Sequence, residues 1–431
     1  MLILLKTLGC KSNRYESDKL CELLLGRGDE VQQLSEGARA LAFGGSADIL
    51  IVNTCTVTQV ADRKSRQVIY GLKRLSPKCK VIVFGCGSNV APEDYKKLKG
   101  VDFVASSTKG VFEIIEKLYK KNHLKNCSYE SSDFKKSSLK RTRALVKIQD
   151  GCDNFCTYCI VPKARGREKS FPSKTILKEV KQYEKEGYKE IVLTGINIGE
   201  WEEGALNIAD LIEFLIQNTK DVRFRVSSIE PKNFSSKFYK LFKTGRLCPH
   251  MHMSLQSGSD SVLERMRRNY STKEFLDICN KFKKAVPDIG LTTDVIVGFP
   301  GETEKEFEET CKFVKKIGFL KIHVFPYSKR KDTAAYYMKD QIPEIVKKQR
   351  AEKLRKISGK MTLDFTKTLL RKTYEVLVEN PRGKSYQGFT PNYIPVRFLY
   401  AGKTSIVKEI IPVTLKKVQK DGTVLGEIAK L

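Results

Sequence analysis

The chain has 431 residues, enough for two or three folding units, and its 79 Lys and Arg against 50 Asp and Glu leave a formal charge of +29. Such an excess goes beyond what solubility asks for and favours polyanionic partners, nucleic acid first, with a solvated lysine-rich surface as the alternative. Twelve cysteines in a chain of ordinary hydrophobic content exclude a disulfide-dense secreted module and point to a reducing compartment, the cytoplasm, where thiols serve metals or chemistry.

The apolar start, Met1-Leu-Ile-Leu-Leu, is of strand length with no basic leader or cleavage pattern, so it reads as neither signal peptide nor membrane span. From Leu2 to Lys120, apolar runs at Ile3–Leu5, Ile49–Val52, Val81–Phe84 and Phe103–Ala105 alternate with helix-length segments. That alternation predicts a parallel α/β domain over residues 1–120. Cys10, Cys55 and Cys86 each follow one of these strands, beside Gly or Thr. The carboxyl edge of an open α/β sheet is where ligands bind, so these three thiolates are expected to converge on one metal site. Cys21, Cys79, Cys127, Cys248, Cys279 and Cys311 are expected to be buried small hydrophobes, Cys79 at the opposite sheet edge because it precedes its strand.

Residues 121–143 are basic and serine-rich and read as an exposed linker. A β/α alternation then repeats six times between Ala144 and Ser328, predicting a partial (β/α)6 barrel. Its first loop holds Cys152-Asp-Asn-Phe-Cys156-Thr-Tyr-Cys159, three thiolates with no fourth nearby, since the next cysteine is Cys248. Thiolates select zinc or iron-sulfur clusters, and a closed zinc site needs four protein ligands, so an open cluster is favoured over a zinc knuckle completed from afar. The other five strands are followed by Gly195 and Asn197, Ser228, Gln256, Gly298, and Pro326-Tyr327-Ser328. Loops on that rim build barrel active sites; the glycines admit a close backbone approach, and the polar side chains suit a nucleoside cofactor.

Residues 347 to 372 form a basic helical extension, which closes a core expected over 144–368. Its charged face is a candidate phosphate contact, or simply a solvated face. Over 369–431, short β runs at Tyr374–Val378, Ser385–Phe389, Ile394–Phe398, Thr404–Ile410 and Val413–Val418 predict a small OB-like barrel. There Tyr386, Phe389 and Tyr393 interleave with Arg382, Lys384 and Arg397, a mixture suited to single-stranded RNA or, for the aromatics, to the barrel core.

Several stretches together carry a resemblance: Thr7 through Asn13, Asn53 through Thr58, Lys147 through Arg167, Ser254 through Gly258, Met266 through Tyr270, and Asp294 through Gly301. They resemble the radical S-adenosylmethionine (SAM) methylthiotransferases over essentially the whole chain. Among subgroups, they are most similar to the one acting on N6-threonylcarbamoyladenosine in tRNA. At the third cysteine Gly85-Cys86-Gly87-Ser88 departs from that subgroup's Cys-Tyr-Ala, and Gly44-Gly45-Ser46 suggests a longer loop. The resemblance implies that Cys152, Cys156 and Cys159 hold a 4Fe-4S cluster that cleaves SAM. It implies an auxiliary 4Fe-4S cluster on Cys10, Cys55 and Cys86, Tyr158 facing adenine, and a C-terminal TRAM domain. The implied reaction is methylthiolation of carbon 2 of the nucleoside at position 37, fed by a sulfur donor and a flavodoxin- or ferredoxin-type electron donor. Alternatives are an isopentenyladenosine substrate, an aspartate of a ribosomal protein, or a non-enzymatic iron-sulfur RNA-binding protein.

Overall fold

Leu2–Thr7, Ile49–Thr54 and Lys80–Gly85 are continuous apolar runs, as strands covered on both faces must be. They form the centre of a parallel five-stranded sheet in the order Glu30–Leu34, Leu2–Thr7, Ile49–Thr54, Lys80–Gly85, Phe103–Val104. The computed structural model describes residues 1–34, 47–119, 141–231, 234–383, 385–402 and 404–429. Gly44-Gly45-Ser46, most of the 121–143 linker, Cys127, Lys384 and the side chain of Arg382 lie outside what is described. Glu30–Leu34 is a strand that apolar runs did not announce: it is an edge strand, and only Val31 and Leu34 are buried. Helices on either face complete two apolar layers, one around Ile3, Leu20 and Ile115, the other around Leu50, Ile69 and Tyr95.

Six parallel strands follow: Ala144–Lys147, Glu190–Thr194, Arg223–Val226 running on into Ser228–Ile229, His250–Met253, Gly290–Val297 and Lys321–Pro326. The third strand parts company with the second at Ser227 and pairs with the fourth beyond it, so two sheets share the curve of a barrel that stays open. Val146, Leu193, Phe224, Met251 and Val295 face outward onto helices such as Ile208–Gln217, Thr272–Ala285 and Glu304–Ile317. Those three helices start at capping boxes, Asn207 with Asp210, Ser271 with Glu274, and Thr303 with Glu306. Cys21, Cys79, Cys248, Cys279 and Cys311 are all buried, the small-hydrophobe role anticipated for them.

The inward face is polar. Glu190 accepts from Arg143 Nε at 2.6 Å, Arg223 Nε at 2.8 Å and Arg225 Nε at 2.7 Å, all deep in the protein. The guanidiniums extend onward, Arg223 to the carbonyl of Glu375 at 3.0 Å and Arg225 to that of Pro391 at 2.9 Å. This cluster therefore fastens the open barrel to the C-terminal segment.

That segment is a closed five-stranded barrel in the order Thr373–Arg382, Ser385–Phe389, Pro395–Leu399, Val424–Ile428, Ile410–Val418. The expected strand at Thr404–Ile410 is corrected: Lys408 has a left-handed backbone (φ 76°), the chain turns there, and the fifth strand is Val424–Ile428. The basic helix spans Glu344–Thr368, and two of its cations point inward: Arg350 pairs with Glu302 at 2.7 Å, and Lys347 lies over the Tyr327 ring. They are removed from any phosphate-contacting face.

Candidate cysteine centres and their cavity

Cys10, Cys55 and Cys86 stand at the carboxyl ends of three neighbouring strands, and Asn13 gathers them. Its side-chain amide donates to the carbonyls of Leu8 at 3.0 Å and Thr54 at 2.9 Å; its Oδ1 accepts from the Cys10 thiol at 3.5 Å and the Cys86 thiol at 3.7 Å. Gly9 makes the third approach possible: at φ 102°, a Cβ there would lie 2.9 Å from Cys55 Cβ. Burial pushes the Cys86 thiol up to about 12 and raises Cys55, with the Arg165 guanidinium opposing both shifts. Thiols held this way stay protonated until a metal cation takes the sulfur and displaces the proton to solvent.

Cys152, Cys156 and Cys159 occupy the loop after the first barrel strand, within electrostatic reach of one another. Burial pushes Cys159 up to about 12. Phe155 takes a left-handed backbone (φ 45°) to turn the loop, and Arg268 Nη1 donates to the Cys156 sulfur at 3.2 Å. Arg268 is itself held by Glu230 at 2.6 Å, and Glu230 by the Asn197 amide at 3.3 Å. Among the described residues, neither trio brings its three sulfurs within 4.8 Å of one another; only His252, Asp294 and His323 meet that spacing. Sulfurs sharing one zinc at about 2.3 Å stand about 3.8 Å apart, so both trios suit a wider inorganic core better than a single ion. An arginine stands beside each trio, Arg165 near Cys86 and Arg268 on Cys156, a positive charge that would suit an anionic group there.

The remaining rim residues line the same end of the barrel. Asn197 is fixed by Gln149, whose Oε1 accepts its amide at 3.0 Å and that of Ile196 at 2.9 Å. Gly195 offers its carbonyl to Ser12 of the N-terminal unit at 3.3 Å. Ser228 pairs with His252 across the third and fourth strands. Gln256 adopts a left-handed backbone (φ 66°) that bridges to Val295. The Gly298 amide (φ 70°) donates to Glu302 at 2.6 Å; burial pushes that carboxyl up to about 7, against the pull of Arg350. Tyr158 is half-buried against Val262, Met266 and Phe299, beside Cys156 and Cys159.

The C-terminal aromatics are placed differently. Phe389 and Tyr393 stack on each other at 5.0 Å, Arg143 covers both, and Arg225 lies 4.6 Å from the Tyr393 ring, so these two rings dock the small barrel onto the large one. Tyr386 packs on Phe398 and Tyr400, and Arg397 is half-buried.

Sequence reasoning did not single out Asn13, Arg165, Glu230 or Arg268, although all but Glu230 lie inside a quoted stretch; their pairings are long-range. Arg165 is the most consequential. The short helix Cys86–Val90, which opens on a cysteine of one trio, packs against Val161–Arg165, which opens two residues after Cys159 of the other, and Asn89 donates to the Ala164 carbonyl at 3.2 Å. Arg165 then reaches Asn13 Oδ1 at 2.6 Å, Glu16 at 2.7 Å and Asp150 at 3.0 Å. Arg165→Met is expected to lower unfolding stability by about 1–3 kcal/mol, because Asn13 loses its guanidinium and Glu16 and Asp150 are left with Lys147 as their shared cation. Denaturant titration checks this, and an unchanged midpoint would deny the arginine its bridging role.

Residues 3–106 match the uncharacterized protein family UPF0004 and residues 146–314 the Radical SAM superfamily. The chain is 37% identical over 430 residues to threonylcarbamoyladenosine tRNA methylthiotransferase MtaB of Bacillus subtilis, covering 95% of this chain and 93% of that one. It is 33% identical to tRNA-2-methylthio-N(6)-dimethylallyladenosine synthase of Endomicrobium trichonymphae, covering 99% and 100%. Among solved structures, the radical SAM methyltransferase TsrM of Kitasatospora setae, with cobalamin and a [4Fe-4S] cluster bound, aligns at a TM-score of 0.57. That alignment covers 89% of this chain and 81% of TsrM at 13% identity, a likeness of fold. By these relationships, the chain belongs to the radical SAM methylthiotransferase family.

Proposed function

We propose that this enzyme methylthiolates carbon 2 of N6-threonylcarbamoyladenosine at position 37 of tRNA, beside the anticodon. The observation that carries the reading is the juxtaposition of two cysteine trios through the paired helices Cys86–Val90 and Val161–Arg165. Family membership implies one 4Fe-4S cluster and SAM, to be held by Cys152, Cys156 and Cys159 and by the rim residues Tyr158, Gly195, Asn197, Ser228, Gln256 and Gly298. A second 4Fe-4S cluster is assigned to Cys10, Cys55 and Cys86. When bound, these groups supply the radical needed to break an unactivated aromatic C–H bond and the sulfur that replaces the hydrogen.

The protein's own contribution is positioning and charge. Arg268 and Arg165 set a fixed cation against each trio, while Glu230 and Asn197 hold Arg268 in place. Electrons are assigned to a flavodoxin- or ferredoxin-type reductant, and a sulfur donor would replenish the sulfur spent in each turnover. RNA contact by the C-terminal barrel is assigned to Arg382 and Lys384 rather than to Phe389 and Tyr393, whose rings are occupied. Relatives named for threonylcarbamoyladenosine and for dimethylallyladenosine both exceed 30% identity, so the polar lumen, not the identity, favours the former. Nucleoside analysis of tRNA from a deletion strain is expected to lose 2-methylthio-N6-threonylcarbamoyladenosine. Loss of the isopentenyl counterpart instead would reassign the substrate.

A further inference from the structure

We propose that Lys11, reaching into the barrel lumen beside His250, His252 and His323, forms an anion subsite that takes a carboxylate on the N6 side chain of the substrate nucleoside. The inference rests on the substrate reading above and assigns residues to it.

Strand register sets the lumenal face. His252 pairs with Ser228 on one side and Thr292 on the other, and Asp294 pairs with His323. The alternating residues Met251, Met253, Leu291, Val295 and Ile322 lie in the outer core, which sends the polar set inward. There Thr292 Oγ1 lies 2.9 Å from His252 Nδ1 and 3.3 Å from His250 Nε2, while His252 Nε2 faces Asp294 at 3.2 Å. Asp294 is thus already engaged, His250 Nδ1 is buried without a partner, and His323 is open to the lumen.

Lys11 enters this space from the neighbouring unit, as the first residue of the helix Lys11–Gly26. The next residue, Ser12, donates to the Gly195 carbonyl at 3.3 Å, which sets the start of this helix against the rim of the barrel. The Lys11 charge is felt by His250 and His323, and it feels Arg225 and Arg143. Those arginines are committed to Glu190; no carboxylate among the described residues pairs with Lys11.

A threonylcarbamoyl group ends in a carboxylate and a hydroxyl, whereas a dimethylallyl group is wholly hydrocarbon. Filling this lumen with hydrocarbon would strip water from an ammonium and several imidazoles and return no hydrogen bond. A carboxylate gains a charge-assisted partner instead. Because Lys11 directly follows Cys10, a side chain anchored on it keeps the base next to the auxiliary trio.

The test uses anaerobic holoenzyme and three anticodon stem-loop RNAs, carrying threonylcarbamoyladenosine, its methyl ester, or dimethylallyladenosine. For wild type, the free acid is expected to bind about ten- to a hundredfold more tightly than the ester, and Lys11→Met to shrink that ratio to about threefold or less at unchanged iron content. Equal affinity for acid and ester in a wild-type enzyme that methylthiolates the acid would overturn the subsite and leave the substrate reading intact. Discrimination kept by Lys11→Met would also overturn it. Methylthiolation of the dimethylallyl RNA alone would remove the substrate reading and the subsite with it.

Discussion

Changing Cys10, Cys55 and Cys86 together to alanine is expected to abolish methylthio transfer while leaving reductive cleavage of SAM to 5′-deoxyadenosine. The two outcomes separate because the trios belong to different elements. Cys10, Cys55 and Cys86 end three strands of the N-terminal sheet, whereas Cys152, Cys156 and Cys159 share one loop of the open barrel. The barrel loop keeps its own supports, Arg268 on the Cys156 sulfur and Thr157 on the Arg265 carbonyl at 2.9 Å, neither of which involves the auxiliary trio. Cys152→Ala is expected to silence both reactions. Mass spectrometry of nucleoside and nucleotide products reads the two separately. Methylthio product from the triple variant would refute the division of labour.

Glu190→Gln is expected to destabilise the fold by about 3–5 kcal/mol, the usual cost of removing one partner from an enclosed ion cluster. Glu190 is fully buried among Arg143, Arg223 and Arg225, and a neutral amide leaves Arg223 and Arg225 crowded without an anion, while Arg143 keeps Glu379. Burial alone would raise this carboxyl, but the guanidiniums of Arg225, Arg143 and Arg223 overcome it and hold it well below the carboxylate range. A depressed carboxylate adds stability above its unfolded value of about 4.3 and loses it as pH falls through the folded value. Wild type should therefore weaken steeply below about pH 4 through this group, and the glutamine variant should lack that component. Since Arg223 and Arg225 also bind the small barrel's carbonyls, limited proteolysis should release the C-terminal segment earlier in the variant. A denaturation midpoint equal to wild type would show that the cluster adds nothing to stability.

Much of this arrangement is readable in the chain because local chemistry and global fold agree. The runs at Ile49–Thr54 and Lys80–Gly85 are strands by composition, and the cysteines that follow them fall on a common edge by topology alone. The barrel strands fall between Ala144 and Ser328, as the sixfold alternation there predicts. What stayed hidden depends on distant partners. Glu30–Leu34 is a strand because Leu2–Thr7 offers it an edge. Thr404–Ile410 has β-type residues but bends at Lys408 to bring Val424–Ile428 beside Pro395–Leu399. Phe389 and Tyr393 have the composition of an RNA platform, and only Arg143 and Arg225 from another unit turn them into a docking joint. Lys11 gives no sign in the sequence that it faces a lumen built from strands more than two hundred residues away.

The central claim, two open trios each gripping its own inorganic core, is tested most directly by iron and acid-labile sulfide counts with Mössbauer spectra on anaerobically reconstituted wild type. The account predicts about eight irons and eight sulfides per chain, all in cubane-type clusters held by cysteine. About four irons, or zinc in either trio, would contradict it.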